Sequence, residues 1–559
     1  DPPMSLPANQ CVEALNVDWK DATLCRKRGG STSVSLTGGT AFDDIIATLI
    51  RHVPGAAETA AELWAIDADR DLNKRLTGST TWANVTFDDA IASDAYAVVG
   101  VTLNGKLFLA FDTTVDRLHV YDPNLATPRV RRVNFATPAA PTVANGGGAG
   151  AYAATLRYYR VRWLQMTGTV VNRRSEPGAS VSFTPDGASL NATVTRPTAA
   201  SEGETHWELE TSVDDLVWTA HQSQLRSSTQ IAIATTTYAD TTTIATAQGY
   251  PVTDQTGLHA RFPSVRYLLT DGNRLLGTGS WESAGADSGG RTARVWFTPV
   301  LGSADKGDDE RSTNTTTQKN FVDLNENDGG GTTGLGGPLN GVPYAFKYRQ
   351  VWKLRPTGDV TTPYLPRKLR DDVGSITHKA IAVGEDERGR PALYFLSHRG
   401  PYRVTFDGDV QYLGRDNEVT WRSMNLAATT VVAHSVYYPD LHQWWVWIAT
   451  VAANFPDVKM MFDVQLGFPD DKGQIRGGWA KHTGGSAGAA CSCLFSNTLA
   501  ASMSRDLKPH IGQSTSTVIH KCDTTDTQDN AVSFQAYVKT RPIMTTSDLQ
   551  TKTRLEEVL

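Results

Sequence analysis

Long hydrophobic runs are missing from this chain of 559 residues. The most apolar stretch, Trp444–Ala453, is about half the roughly 18 residues that a membrane-spanning helix requires, so no membrane span is expected. Cysteine is scarce. Cys11, Cys25, Cys491, Cys493 and Cys522 are too few and too scattered for a disulfide framework, and their odd number suits synthesis in a reducing compartment. Cys491 and Cys493 would share one face of a strand, but no second ligand pair accompanies them, so no metal site is assigned. A large charge excess is also lacking, with 53 Lys and Arg against 59 Asp and Glu and a net charge of -6. That balance argues against sequence-independent DNA binding through phosphate neutralisation, though not against a channel through which DNA slides. Asp1–Pro7 lacks the basic-then-apolar pattern of a signal peptide. The absence of Met at position 1 leads us to expect an N-terminal trim, and Arg554–Leu559 reads as mid-strand, so the chain is expected to run further.

What is present is a globular composition, 40% apolar and 20% charged, which excludes global disorder. The length suggests three or four domains, or fewer large β ones. Helix signals are confined to Asp43–His52, with apolar residues at helical spacing, and to the Ala/Glu-rich Ala56–Leu63. Elsewhere short segments alternate with period two between Gly, Pro, Asn, Asp and Thr. Asn104-Gly105, between Val98–Val101 and Lys106–Phe111, is the clearest hairpin turn.

A short strand ending near Asp or Pro recurs around Trp64, Val120, Trp296, Trp352, Val404, Met461 and Ile519. The spacing is about 50–60 residues once an insertion at 137–251 is set aside, which matches the four-stranded blade of a β-propeller, here about seven blades. An irregular pair of β-sandwiches is the alternative. The division expected is an N-terminal segment with the first blades over 1–136, the insertion over 137–251, and the remaining blades with closing strands over 252–559. About seven short alternating strands in the insertion, and no cysteine pair across it, suggest a fibronectin-III-like rather than antibody-like sandwich, inserted in one blade. Gly302–Thr317 and the Gly-rich Asp328–Pro338 read as long loops between blades.

Chemical motifs are weak. Gly484-Gly-Ser486-Ala-Gly488 matches the nucleophile elbow G-x-S-x-G, but a strand pattern follows where the elbow needs a helix, so an inter-strand turn is the better reading. Asp67, Asp69, Asp71 and Asn73 start like a calcium loop, yet Leu72 and Gly78 stand where an EF-hand needs Gly and Glu, which leaves a solvated acidic turn. Ser212-Val-Asp214-Asp-Leu-Val-Trp218 approaches a sialidase Asp box but is one residue short, and reads as a β-turn beside a core tryptophan. No pair of acids stands out for glycoside hydrolysis, and the 12 histidines are dispersed. Short basic clusters at Arg26–Arg28, Arg129–Arg132 and Arg367–Arg370 read as solvated strand ends or partner contacts. No catalytic, cofactor-binding or metal-binding residue is assigned, and no cofactor is expected.

Three segments in order resemble tail nozzle and tail hub proteins of short-tailed bacteriophages. Asn16-Val-Asp-Trp-Lys-Asp-Ala-Thr-Leu-Cys-Arg-Lys-Arg-Gly29 is similar to their opening dG-x-x-x-x-R-x-G. Asp271-Gly-Asn-Arg274-Leu-Leu-Gly, then Arg294-Val-Trp-Phe-Thr-Pro299, then Pro343-Tyr-Ala-Phe-Lys347 through Leu354 is similar to their NRLF … L-x-x-F-K-x-x-x-I-x-x-L run, with Thr298 where the family has Ser. Gly374-Ser-Ile and Leu393-Tyr-Phe-Leu-Ser397-His-Arg-Gly400-Pro-Tyr402 complete the set. The resemblance covers about three-quarters of the chain. It implies a structural virion protein, not an enzyme, made in the bacterial host cytoplasm and located in the phage tail. It further implies a hexameric ring continuing the DNA channel below portal and adaptor proteins, supporting fibres or spikes, and passing double-stranded DNA without specific binding. A propeller carbohydrate-active enzyme, or a host-binding adhesin using the inserted sandwich, are the alternatives.

Overall fold

A computed structural model describes residues 11–540, apart from short stretches of which 281–290 and 497–506 are the longest. The Asp1–Pro7 and Arg554–Leu559 expectations lie outside the described residues, as do 56–59, the first half of Ala56–Leu63, whose last two residues begin the strand Glu62–Asp67 and not a helix.

Seven antiparallel sheets follow one another along the chain. Blade 1 comprises Ile46–His52, Glu62–Asp67, Leu72–Leu76 and Ala83–Asn84. Blade 2 comprises Val99–Leu103, Lys106–Ala110, His119–Tyr121 and Val130–Arg132. Blade 3 runs Tyr267–Asp271, Arg274–Thr278, Arg294–Phe297 and Phe321–Asp323. Blade 4 runs Thr332–Leu339, Val342–Lys347, Gln350–Pro356 and Tyr364–Arg370. Blade 5 holds Ile381–Glu385, Pro391–Ser397, Gly400–Val404 and Val410–Tyr412. Blade 6 holds His434–Tyr438, Gln443–Ile448, Val458–Asp463 and Trp479–His482. Blade 7 takes three strands from the C-terminal region, Ala489–Phe495, Lys508–Gln513 and Ile519–Thr524, and a fourth, Gly30–Ser33, from the N-terminal region. The first strand of each blade touches the first strand of the next, and that of blade 7 touches that of blade 1, so the ring is closed. The chain is a seven-bladed β-propeller.

The core explains why the strands read as they do. Among the described residues, seven apolar clusters each join two consecutive blades. A blade is therefore buried on both faces, and alternate residues serve opposite neighbours. In blade 1, Trp64 and Ile66 pack toward blade 2 while Leu63 and Ala65 pack toward blade 7. In blade 6, Trp444, Val446 and Ile448 face blade 5 while Trp445 and Trp447 face blade 7. That two-sided burial is why the most apolar stretch of the chain is a six-residue strand followed by a turn.

Three expectations are corrected. Asp43–His52 is not a helix: Ile46–His52 is the innermost strand of blade 1, and its apolar residues serve the two neighbouring blades rather than one helical face. Asp328–Pro338 is not wholly a loop, because Thr332–Leu339 is the inner strand of blade 4. Its glycines are needed for close approach, since a Cβ at Gly334 would lie 2.8 Å from Ile381 and one at Gly336 2.7 Å from the same side chain. The repeat anchors fall on third strands in blades 2 to 7, but Trp64 lies on a second strand. The Asn104-Gly105 hairpin has both residues at positive φ, 53° and 79°, as its turn type demands.

The inserted segment is not inside one blade as expected: it leaves after the outer strand of blade 2 and returns before the inner strand of blade 3, so it interrupts the ring between two blades. It holds a three-stranded sheet, Thr142–Asn145, Ala192–Thr195 and Thr237–Asp240, and a six-stranded sheet centred on Arg157–Thr167 and His206–Ser212. Tyr159, Val161, Trp163, Trp207 and Leu209 from the larger sheet share one core with Ala192 and Val194 from the smaller.

Candidate functional site

The inner strands of the blades enclose a narrow pocket of about 220 Å³ on the propeller axis. Blade 1 contributes Thr48 and Arg51, the turn before blade 5 contributes His378 and Lys379, blade 6 His434, and blade 7 Cys491 and Ser492. Among the described residues no Asp or Glu lines it. Lys379 Nζ donates to Thr48 Oγ1 at 2.7 Å, and among the described residues no carboxylate pairs with it. Burial pushes its ammonium down to about 8.

Ser492 and His434 meet here at 2.7 Å through the serine Oγ and the imidazole Nδ1. His434 Nε2 lies 3.0 Å from the Ala489 carbonyl, which fixes Nε2–H as donor and Nδ1 as acceptor, the tautomer a general base would need. Burial, however, pushes His434 down to about 3, with Lys379 adding to it. A base that weak takes up little proton near neutrality, where general-base catalysis works best. His378 is pushed down to about 4 by burial, and its Nδ1 accepts the Leu335 amide at 3.1 Å. The Cys491 thiol is pushed up to about 12 by burial, which removes its nucleophilicity. The pocket thus sets Lys379 and the hydroxyls of Thr48 and Ser492 among apolar residues such as Ile50, Val99 and Ile381. A DNA duplex does not fit through it.

A larger cleft of about 620 Å³ opens over blades 4 to 6. Tyr348 stacks on His398 at 5.0 Å, and Tyr402 lies 5.0 Å from Tyr412. Among its described lining residues Glu418 is the one carboxylate, and it is paired with Arg422 at 2.6 Å, so these residues do not assemble the two independent acids of a glycosidase.

A buried charged cluster sits where the chain leaves blade 2 for the inserted module. Glu310 accepts two bonds from Arg131, at 2.7 and 2.8 Å, and one from Lys106 at 2.9 Å. Lys106 also reaches Asp309 at 2.9 Å, and Glu310 takes the Asn134 amide at 2.9 Å. Burial alone would raise Glu310, but Arg131 and then Lys106 hold it well below the usual carboxylate range. From the module, Arg173 donates to the Asn134 carbonyl at 3.0 Å and lies 4.0 Å over the Phe135 ring. Burial, with Arg131 beside it, pushes Arg173 down to about 9.

This site accounts for two segments the sequence left ambiguous. Gly302–Thr317 does not connect two blades: it lies within blade 3, between Arg294–Phe297 and Phe321–Asp323, and its described part contains the buried anchor Asp309–Glu310. Of Arg129–Arg132, Arg131 is buried against Glu310 while Arg129 pairs with Asp88. Arg28 is likewise buried, against Asp529. In Arg367–Arg370, Arg370 pairs with Asp372 at the surface. Ser486 is 1% exposed, its Oγ donates to Asp529, and the strand Ala489–Phe495 follows it, so it sits in no nucleophile elbow. Asp214 accepts the Leu216 and Val217 amides at 2.9 Å, a β-turn next to buried Trp218. Asp67 is fully buried rather than solvated. Sequence reading missed Lys379, Thr48, His434 and Ser492, which come from four blades and share no local pattern.

No protein-family model matches the chain, and no curated protein matches it. Among solved structures the chain is similar to Sqt1 of Saccharomyces cerevisiae, at 9% identity and a TM-score of 0.34, covering 89% of this chain and 100% of that one. It is also similar to AztD of Citrobacter koseri, at 9% identity and a TM-score of 0.31, covering 78% and 86%, and to Hsv2 of Kluyveromyces lactis, at 8% identity and 0.28, covering 79% and 98%.

Proposed function

We propose that the chain is a structural component of a short bacteriophage tail, a propeller subunit in a ring that continues the DNA channel below portal and adaptor. The observation that carries this reading is the order of the segments resembling tail-nozzle proteins. The first spans the hairpin Val17–Lys20 and Leu24–Lys27, and the second and third reach the second and third strands of blades 3, 4 and 5 in succession, from Arg274 through Leu354 to Tyr402. Two features support it. The ring is closed and two-sided in its packing, which makes a stiff body. The module's Arg173 is anchored on the segment leaving blade 2, through the Asn134 carbonyl and the Phe135 ring, beside the buried Glu310 cluster, which holds the module's orientation at that junction. Because the axis pocket is only about 220 Å³, the DNA path belongs to the shared axis of several subunits, not to the propeller's own axis. Closed rings need heterologous side-to-side contacts between subunits. On the wall of the shared channel acids equal or outnumber Lys and Arg, so that DNA leaves without phosphate-by-phosphate retention.

Electron microscopy of assembled tails tests this. Six copies around the tail axis are expected. Absence of the chain from that axis, or a densely positive wall that holds DNA in a salt-sensitive way, overturns it. A second reading, adhesion to a host surface through the module, draws on one observation: the turn held by Asp214 presents Leu216 at 82% and Val217 at 54% exposure. Host-cell binding by the isolated chain that is lost in Leu216→Ser would favour it.

A further inference from the structure

Three turns of this molecule share one five-residue backbone pattern, at 67–71, 386–390 and 405–409. In each, the first amide donates to the fifth carbonyl: Asp67 to Asp71 at 3.2 Å, Asp386 to Arg390 at 2.7 Å, Thr405 to Asp409 at 2.9 Å. In each, the fourth amide donates back to the first carbonyl and the fourth residue has positive φ: Arg70 at 76°, Gly389 at 71°, Gly408 at 92°. In each, the first side chain also accepts the fifth amide, through Asp67 Oδ1 at 2.8 Å, Asp386 Oδ1 at 2.9 Å and Thr405 Oγ1 at 3.1 Å.

The copies differ in charge. In blade 5, the Asp386 carboxylate is answered by the guanidinium of the fifth residue, Arg390, at 2.9 Å. In the 405–409 turn the first residue is a neutral threonine. In blade 1 the first and fifth residues are both aspartates, and Asp43, just before the inner strand, brings a third. One carboxylate oxygen from each of Asp43, Asp67 and Asp71 lies within 4.8 Å of the others. Among the described residues none of the three pairs with a basic side chain. Asp67 has no exposed surface, and its Oδ2 makes no hydrogen bond of ordinary geometry.

A buried carboxylate among two others is costly unless it is protonated or a cation joins it. A hard divalent ion takes oxygen ligands, and calcium at about 2.4 Å from each oxygen spans the separation observed here. We propose that Asp43, Asp67 and Asp71 bind one calcium ion at the blade 1 turn, with water completing the shell, and that the ion does for this turn what Arg390 does for its blade 5 counterpart. This proposal is independent of the tail reading.

The test is calcium titration of the chelator-treated protein, followed by calorimetry and thermal unfolding. One site per chain with a dissociation constant of about 0.1–1 mM is expected, together with a calcium-dependent rise in Tm. Asp71→Asn keeps the backbone turn and is expected to weaken binding about tenfold or more. Asp67→Asn is expected to be more stable than the parent in chelator at pH 7 and less stable in saturating calcium. Asp386→Asn serves as the control and leaves the calcium response unchanged. No calcium response up to about 10 mM, or an undiminished response in Asp71→Asn, overturns the proposal. Should Asp67→Asn fail to fold, the parent titration and Asp71→Asn still decide it.

Discussion

Arg28 and Asp529, 501 positions apart, close the propeller with a two-pronged ion pair. Arg28 Nη1 reaches Asp529 Oδ1 at 3.0 Å and Nη2 reaches Oδ2 at 2.5 Å, both side chains being buried. Arg28 Nε also bonds Asn16 at 3.2 Å, and the Phe534 ring lies 3.7 Å beneath the guanidinium. The pair thus sits where the N-terminal strand enters blade 7.

Arg28→Ala strands Asp529 in the interior. Removing one partner of a buried pair costs about 3–5 kcal/mol. Urea unfolding is expected to show that loss, and hydrogen exchange should show faster opening at Gly30–Ser33 and Ile519–Thr524 than in blades 3 to 5.

Glu310→Ala leaves Lys106, Arg131 and Arg173 without their shared counter-charge. A loss of about 3–5 kcal/mol is expected, concentrated at the junction between module and ring. Limited proteolysis reads it as new cleavage near residues 254–261 and 311–313. Cleavage spread evenly over the blades would contradict this account of the junction.

Ser486→Ala removes one hydroxyl bond to Asp529, whose stronger partner Arg28 remains. The expected loss is about 0.5–1.5 kcal/mol in denaturant unfolding. A serine-directed covalent probe is expected not to label Ser486, since it is buried under Trp447 Nε1, which bonds its carbonyl at 3.1 Å.

Lys379 offers a pH readout. Its pKa in the folded chain is about 8, below the ordinary 10.5, so the unfolded chain holds this proton more tightly between those values. Stability from this group therefore rises as pH climbs from about 8 to 10.5, and below 8 the charged ammonium is destabilising. Lys379→Met is expected to raise stability at pH 7 by about 1–3 kcal/mol, with the gap to the parent closing toward pH 10.5. Urea midpoints across that range check it.

The blades were legible in the sequence because both faces of each strand are buried, which leaves runs such as Trp444–Ile448 and repeats such as Trp296 and Trp352 at matching positions. The inner strands were less legible. They pass closest to the axis, where space favours glycine and small residues, and so Thr332–Leu339 resembles a loop. The charged sites could not be read at all. Glu310 meets Lys106 across 204 positions and Arg131 across 179, and Lys379 meets Thr48 across 331. Local spacing carries no trace of such pairs. Thr298, by contrast, departs from the tail-nozzle pattern without structural consequence: its Oγ1 accepts the Leu275 amide at 2.9 Å, a bond serine would equally make.

The strand borrowed by blade 7 has a consequence for synthesis. Ser31 leaves the ribosome 489 residues before His520, its neighbour in the finished sheet. At about 5–20 residues per second, Gly30–Ser33 waits about 25–100 s with an unpaired edge while the other six blades emerge. During that interval the nascent chain carries open edges at both ends of an unfinished ring, the template on which strands from other chains add. The last sheet to close is thus the one whose first-made strand has waited longest, and shielding that strand's edge until Ile519–Thr524 emerges favours closed rings over association between chains.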